Sequence, residues 1–274
     1  MSDKLAQGFV LTSHWQDKGG KLTLSYWLST DQGPVCLTLE NQEVVFFVPL
    51  RVQAEAELLL RGMAYRSQAP NLKTFQQEDV CGLYFDNYRQ YLKARDLLQG
   101  RGLPCYEADI RPADRFLMER FCLGAVTFSG QQQGHQVINP RIKKGDYWPQ
   151  LKWLSLDIET AYPEPGVSTA LYSIAVLGQD FKKVWMIGAE DDELIQGVNN
   201  EFALIEAFIQ FIGEVDPDVL LGWNLVNFDL RFLQHRCDEL NIPFRLGRNQ
   251  ERPQWRNVGG DASKFFVSIP GRVA

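Results

Sequence analysis

No run of 18 or more apolar residues occurs in the sequence, so no segment is long enough to cross a bilayer as a helix. The first ten residues, MSDKLAQGFV, lack the basic and apolar regions of a secretory signal, which points to the cytoplasm. Cysteine is sparse: Cys36, Cys81, Cys105, Cys122 and Cys237 are odd in number and scattered, without CxxC spacing. That pattern argues against a disulfide framework or a cysteine zinc site and fits reduced thiols. GxxxxGK[ST], HExxH and GxSxG are all missing. P-loop nucleotide hydrolysis, zinc proteolysis and serine esterase chemistry therefore lose their usual signatures. Positive charge is not in excess either. The formal net charge is −6, so a nucleic acid would have to be met by a local basic patch.

What is present has the length for two domains or one large one, 274 residues. The first part alternates between strand and helix patterns. Leu22–Leu28 and Val35–Leu39 read as strands around the turn Asp31–Gln32–Gly33–Pro34, and Val44–Val48 is a short apolar run closed by Pro49. Val80–Phe85, Tyr88–Gln99 and Pro104–Glu107 read as strand, helix and strand, a split βαβ unit with Gly100 and Gly102 as the helix stop. The turn-rich, charged stretch Asn139–Pro149 is the expected boundary. Beyond it the spacing predicts strands at 151–158, 171–177 and 182–187. A helix over 201–213 follows, with Phe202, Ile205, Phe208, Ile209 and Ile212 on one face, then a strand at 219–223 and a helix over 228–240. This is an α/β order.

Within it lies Ser155–Leu156–Asp157–Ile158–Glu159–Thr160. Residues i and i+2 of a strand share a face, so the Asp157 and Glu159 carboxylates project together. Like charges side by side need water at an exposed edge, a basic side chain or a metal ion. Asp229 falls where the fourth strand of this part hands over to the next helix, in Gly222–Trp223–Asn224–Leu225–Val226–Asn227–Phe228–Asp229. There a carboxylate suits the helix dipole, and Asn224 or Asn227 can supply the cap. Three carboxylates at the ends of neighbouring parallel strands would suit magnesium or manganese. Arg245, Arg248, Arg252 and Arg256, with Trp255, form a basic, aromatic-bearing stretch. It reads either as a solvated loop or as a track for a single strand.

Asp157–Ile158–Glu159–Thr160, followed about 65 residues later by Asn224–Leu225–Val226–Asn227–Phe228–Asp229, resembles the first and second exonuclease motifs of family B DNA polymerases. Tyr106–Arg111, Arg115–Arg120, Asp216–Asn224 and Leu246–Gly247–Arg248 fit the same resemblance, which covers essentially the whole chain. It implies a mixed α+β N-terminal domain over 1–148 and, over 149–274, part of a 3′→5′ exonuclease domain of ribonuclease H-like fold. It also implies two divalent ions, Mg2+ or Mn2+, and a single-stranded DNA 3′ end as substrate. In the intact protein it further implies DNA synthesis on a primer-template in replication or repair, with a sliding clamp as a further partner and no membrane. Asp157 and Asp229 match metal ligands, and Glu159 matches the acid that binds one metal and positions the attacking water. Thr160, Asn224 and Phe228 match positions at the terminal nucleotide, and Arg248 is a candidate substrate contact. The family's third motif, Tyr-x-x-x-Asp, is expected beyond Ala274, because His235–Arg236–Cys237–Asp238 has the wrong spacing for its His variant. The segment taken alone is thus expected to be inactive. A stand-alone exoribonuclease of the same fold and a non-catalytic nucleic-acid-binding module are the alternatives.

Overall fold

The computed structural model describes residues 5–162, 169–259 and 261–274. The chain packs as two units. One contains the residues up to Tyr26 together with Val35–Trp148, the other Trp27–Pro34 together with Pro149–Ala274.

Strands β1 (Ala6–Lys18), β2 (Lys21–Ser29) and β3 (Val35–Gln42) begin the chain. β4 (Val44–Pro49), helix α1 (Gln53–Leu59), β5 (Arg66–Gln68), β6 (Val80–Phe85) and α2 (Tyr88–Gly100) follow. Then come α3 (Pro112–Met118), β7 (Ala125–Ser129), β8 (Gln132–Gln133), β9 (Gln136–Ile138) and β10 (Arg141–Lys144). They build a seven-stranded sheet in the order β10-β7-β1-β2-β3-β9-β8 and a three-stranded sheet in the order β4-β6-β5. The expected strand at 104–107 shrinks to one antiparallel bridge between Phe47 and Tyr106. Since β6 is also antiparallel to β4, Tyr106 and β6 run parallel on either side of it. The unit is a split βαβ crossing with β4 inserted and its last strand reduced to a single pair. Asn87 caps α2 by accepting from the Gln90 N–H at 2.9 Å. The Phe46 ring stacks on Phe85 at 5.6 Å and meets Tyr91 of α2 edge-on at 5.4 Å.

The second unit carries β11 (Trp153–Thr160), β12 (Leu171–Gly178), β13 (Lys182–Ile187), β14 (Ile195–Val198), α4 (Glu201–Val215) and β15 (Val219–Leu221). After a π-helical turn at Leu225–Asp229 come α5 (Leu230–Glu239) and the hairpin β16 (Gln254–Val258) and β17 (Asp261–Ser268). Its five-stranded sheet has the order β14-β13-β12-β11-β15. β11, β12 and β13 form an antiparallel meander, and β15 joins β11 in parallel after α4. This is the ribonuclease H-like order. Along β11, buried Leu154, Leu156 and Ile158 alternate with Ser155, Asp157 and Glu159. The buried set packs with Ile174, Val176 and Trp185 of the sheet, Leu204, Ile205, Phe208 and Ile212 of α4, and Leu230, Leu233 and Cys237 of α5. Burial of these side chains holds the sheet against its helices and leaves the acids of β11 on the other face.

Candidate active site

β15 sets the position of the site because it is short. Its register with β11 ends at Leu221 opposite Ser155, so the next residues of β11 have no strand on that side. Gly222 makes the exit possible. A Cβ there would sit 2.9 Å from the Leu156 carbonyl oxygen and 3.1 Å from Leu225 Cβ, and only glycine fits that approach. The chain then turns through Trp223 and Asn224 into the π turn at Leu225–Asp229. Such turns are rare and cluster at functional sites, because the wider coil re-aims the side chains it carries. Here it brings Asp229 back to β11. The backbone N–H groups of Asp229 itself and of Ile158 lie by the Asp229 carboxylate and favour its ionised form.

Asp229 is 3 % exposed, whereas Asp157 and Glu159 are exposed. Burial pushes the Asp229 carboxyl above the ordinary carboxylate range. The Asp157 carboxylate pushes it the same way, against the two N–H groups. Asp157 and Asp229, from elements about 70 residues apart in sequence, thus lie within electrostatic range of each other. Glu159 lies two residues along the same face of β11. Among the described residues, no group of three or more His, Cys, Asp or Glu side chains is arranged to hold a metal ion, so Asp157, Glu159 and Asp229 do not close around one. The donor set is nonetheless the right kind: hard oxygens, one of them desolvated and repelled by its neighbour, which a divalent cation would stabilise.

The expected nucleotide-side residues divide. Thr160 ends β11 opposite Leu171, and a β-bulge between Glu159 and Thr160 shifts the register there. Bulges of this kind redirect side chains beside functional sites. Phe228 is 43 % exposed, with its ring 6.1 Å from that of Phe232. Asn224 precedes the π turn and its side chain caps nothing. The expected Asn cap is therefore corrected. Asn227 does not cap the helix either, and its side-chain oxygen accepts from the Phe265 N–H at 2.8 Å in the hairpin.

Arg248 is a second correction. Rather than facing a substrate it is 6 % exposed. Its guanidinium bonds Asp216 at 2.9 Å, Asp218 at 2.8 Å and the Gly271 carbonyl at 2.8 Å. Arg272 joins Asp216 at 2.8 Å and the Leu246 carbonyl at 2.8 Å. Burial alone would raise the Asp216 carboxyl, yet Arg248 and Arg272 hold it below its usual range. Two arginines and two aspartates thus anchor the start of β15, and a desolvated arginine cannot also bind DNA phosphates. Arg245, Arg252 and Arg256 are exposed. The Trp255 indole donates to Gln234 of α5 at 3.1 Å and lies 5.3 Å from the Arg231 guanidinium, so it is a packing residue of the hairpin.

Gly222 carries a part of the site's architecture that the sequence pattern did not single out. The signal for Gly222 was its place directly after a short buried strand and before a polar cluster.

A model of the DNA polymerase family B exonuclease domain matches residues 131–274, more than half of the chain. Models described as DNA polymerase II, N-terminal, and DNA polymerase II, insertion domain, match residues 8–43 and 44–103. The chain is 37 % identical to DNA polymerase II of Escherichia coli, over 97 % of this chain and 34 % of that protein. It is 27 % identical to a DNA polymerase of Archaeoglobus fulgidus, over 89 % of this chain and 32 % of that one. It spans about a third of the length of these relatives. The family B DNA polymerase of Pyrobaculum calidifontis shares the fold, with a TM-score of 0.73 over 97 % of this chain and 36 % of that chain, at 21 % identity. With the exonuclease-domain match lying over the strand and the turn that carry Asp157, Glu159 and Asp229, the chain belongs to DNA polymerase family B.

Proposed function

We propose that residues 149–274 carry a metal-dependent 3′→5′ exonuclease site and that residues 1–148 are a separate N-terminal domain. The whole protein is then a cytoplasmic, DNA polymerase II-like enzyme that extends primer-templates and removes mispaired 3′ ends. The observation that carries this reading is the approach of Asp229, buried at the free edge of β11, to Asp157. Two divalent ions, Mg2+ or Mn2+, when held by Asp157, Glu159 and Asp229, would supply an activated water and stabilise the leaving 3′-oxygen.

The chain's own residues do the rest. Asp229 contributes a ligand already oriented by the Ile158 N–H. Glu159, exposed on the strand face beyond Asp157, can accept a hydrogen bond from the attacking water and align it. Thr160 and Asn224 offer polar groups to the terminal nucleotide, and the half-exposed Phe228 offers an apolar face to its base or sugar. A mispaired end unpairs at lower cost, so it reaches the site more often than a paired one.

The test is stepwise shortening of a 5′-labelled single strand with Mg2+ or Mn2+ by the polymerase containing this segment. Asp157→Ala should slow it at least ~100-fold, on the scale by which removing catalytic groups lowers turnover. An unchanged rate overturns the assignment, and faster cleavage of RNA than of DNA moves it to an exoribonuclease.

A further inference from the structure

We propose that the part-buried Glu201–Arg236 ion pair is a brace that sets the spacing between the two halves of the acidic site, making Glu201 and Arg236 positioning residues for it. The inference rests on the reading of that site as a divalent-cation centre. The two halves stand on different elements: Asp157 and Glu159 on β11, Asp229 on the turn that leads into α5. Core packing of Leu230, Leu233 and Cys237 holds α5 against the sheet, and a directional tie at this end would in addition fix the carboxylate separation.

Arg236 lies seven residues past Asp229, two turns along the helix and on nearly the same side. Its Nε donates to Glu201 Oε2 at 3.0 Å, and a second guanidinium N–H donates to the same oxygen. Glu239 takes another of its donors. Glu201 is the first residue of α4, whose cap is Asn200 accepting from the Ala203 N–H at 2.9 Å. Its other oxygen, Oε1, accepts from the Leu171 N–H at 2.5 Å. Leu171 is fully buried and pairs with Thr160 just past the bulge that separates Thr160 from Glu159.

A continuous path therefore runs from Asp229 through α5, Arg236, Glu201 and Leu171 to Thr160 and Glu159. The Arg236 and Glu201 side chains are 11 % and 15 % exposed. Charge-assisted hydrogen bonds shielded this far from water are directional and resist displacement. One carboxylate thus joins α5, which follows the turn carrying Asp229, to the start of β12, which pairs with the end of β11 beside Glu159.

The experiment is a Mn2+ titration of the full chain, followed by electron paramagnetic resonance, with unfolding curves for every variant. Glu201→Gln keeps an oxygen for Leu171 and removes the charge, and Arg236→Gln removes the donor fork. Each is expected to weaken Mn2+ binding about 10- to 100-fold, the usual loss when the groups that orient metal ligands are removed. The double variant should bind no more weakly than the worse single one, and Arg236→Lys should fall between wild type and Arg236→Gln. Phe208→Ala, which loses core packing on α4 without touching the pair, is the stability-matched control and should keep wild-type affinity. Wild-type affinity in folded Glu201→Gln and Arg236→Gln overturns the brace, as does an equal loss in Phe208→Ala. If a Gln variant fails to fold, Arg236→Lys decides, and unaltered affinity there overturns the brace. A wild-type chain that binds no Mn2+ overturns the cation centre and the brace together, whereas binding that the variants share overturns the brace alone.

Discussion

Burial and the Asp157 carboxylate act on Asp229 in the same direction, so the group holds its proton more tightly in the folded chain than in the unfolded one. Its contribution to stability is full below the ordinary carboxylate range and is lost as pH rises through the raised folded value. Asp229→Asn cannot ionise and escapes that loss. Without divalent cations it should melt higher than wild type at pH 7, and the difference should vanish near pH 3. With Mn2+ the order should reverse, because only the wild type gains a bound ion. Melting curves with and without a chelator read both outcomes. Asp157 and Glu159 were legible as a same-face pair because strand alternation is a local rule. Arg248 was not, because its burial depends on Asp216, Asp218 and Gly271, which lie 23 to 32 residues away along the chain.

At the scale of elements, the short β15, Gly222 and the π turn act as one device. The strand ends, the glycine lets the backbone pass the Leu156 carbonyl, and the wide turn returns Asp229 to the edge of β11. Gly222→Ala would place a methyl group within 2.9 Å of that backbone oxygen, so the strand or the turn must move. The expected cost is about 1–3 kcal/mol, read by urea unfolding, with a parallel loss of Mn2+ affinity from displacement of Asp229. A variant of wild-type stability and affinity would show that the close approach is not needed. The π turn replaces the regular helix start expected from the sequence, since one extra residue in a coil leaves no mark in hydrophobic periodicity. α4 extends over the expected helix, but Leu204 joins the buried face while Phe202 is 46 % exposed. A residue in the first turn sits at the open end, where the core no longer covers it. β14 was not anticipated. It has four residues with Gly197 among them, and the Asp192 carboxylate shapes its entry by accepting from the Leu194 and Ile195 N–H groups.

At the scale of the whole molecule, the five-stranded sheet with its apolar cluster lies in the second unit, and the three-stranded sheet with the Val45, Phe47 and Val80 cluster lies in the first. Phe208→Ala empties a fully buried position in the second unit, at a cost of about 3–5 kcal/mol. Calorimetry is expected to show one transition lowered by this substitution and one unmoved. A single transition shifting as a whole would mean that the units unfold together. The same division bears on function, because the carboxylates, the arginine–aspartate anchor and most of the family-defining match fall in the second unit. The chain spans about a third of its relatives' length, so polymerisation, clamp binding and proofreading belong to the proposal for the whole protein.

By itself the sequence determined the order β11, β12, β13, α4, β15, α5 within the second unit, the shared face of Asp157 and Glu159, and the family to which the motifs point. These follow from periodicity, turn formers and motif spacing, all of which act over a few residues at a time. Only the tertiary structure decided that Asp229 is buried against Asp157, that Arg248 is an internal anchor, and that Glu201 and Arg236 join α5 to the strand end. Each of those depends on which distant groups share a desolvated space. In such a space a charge is worth whatever its neighbours make it, and those neighbours are set by the packing of the whole unit.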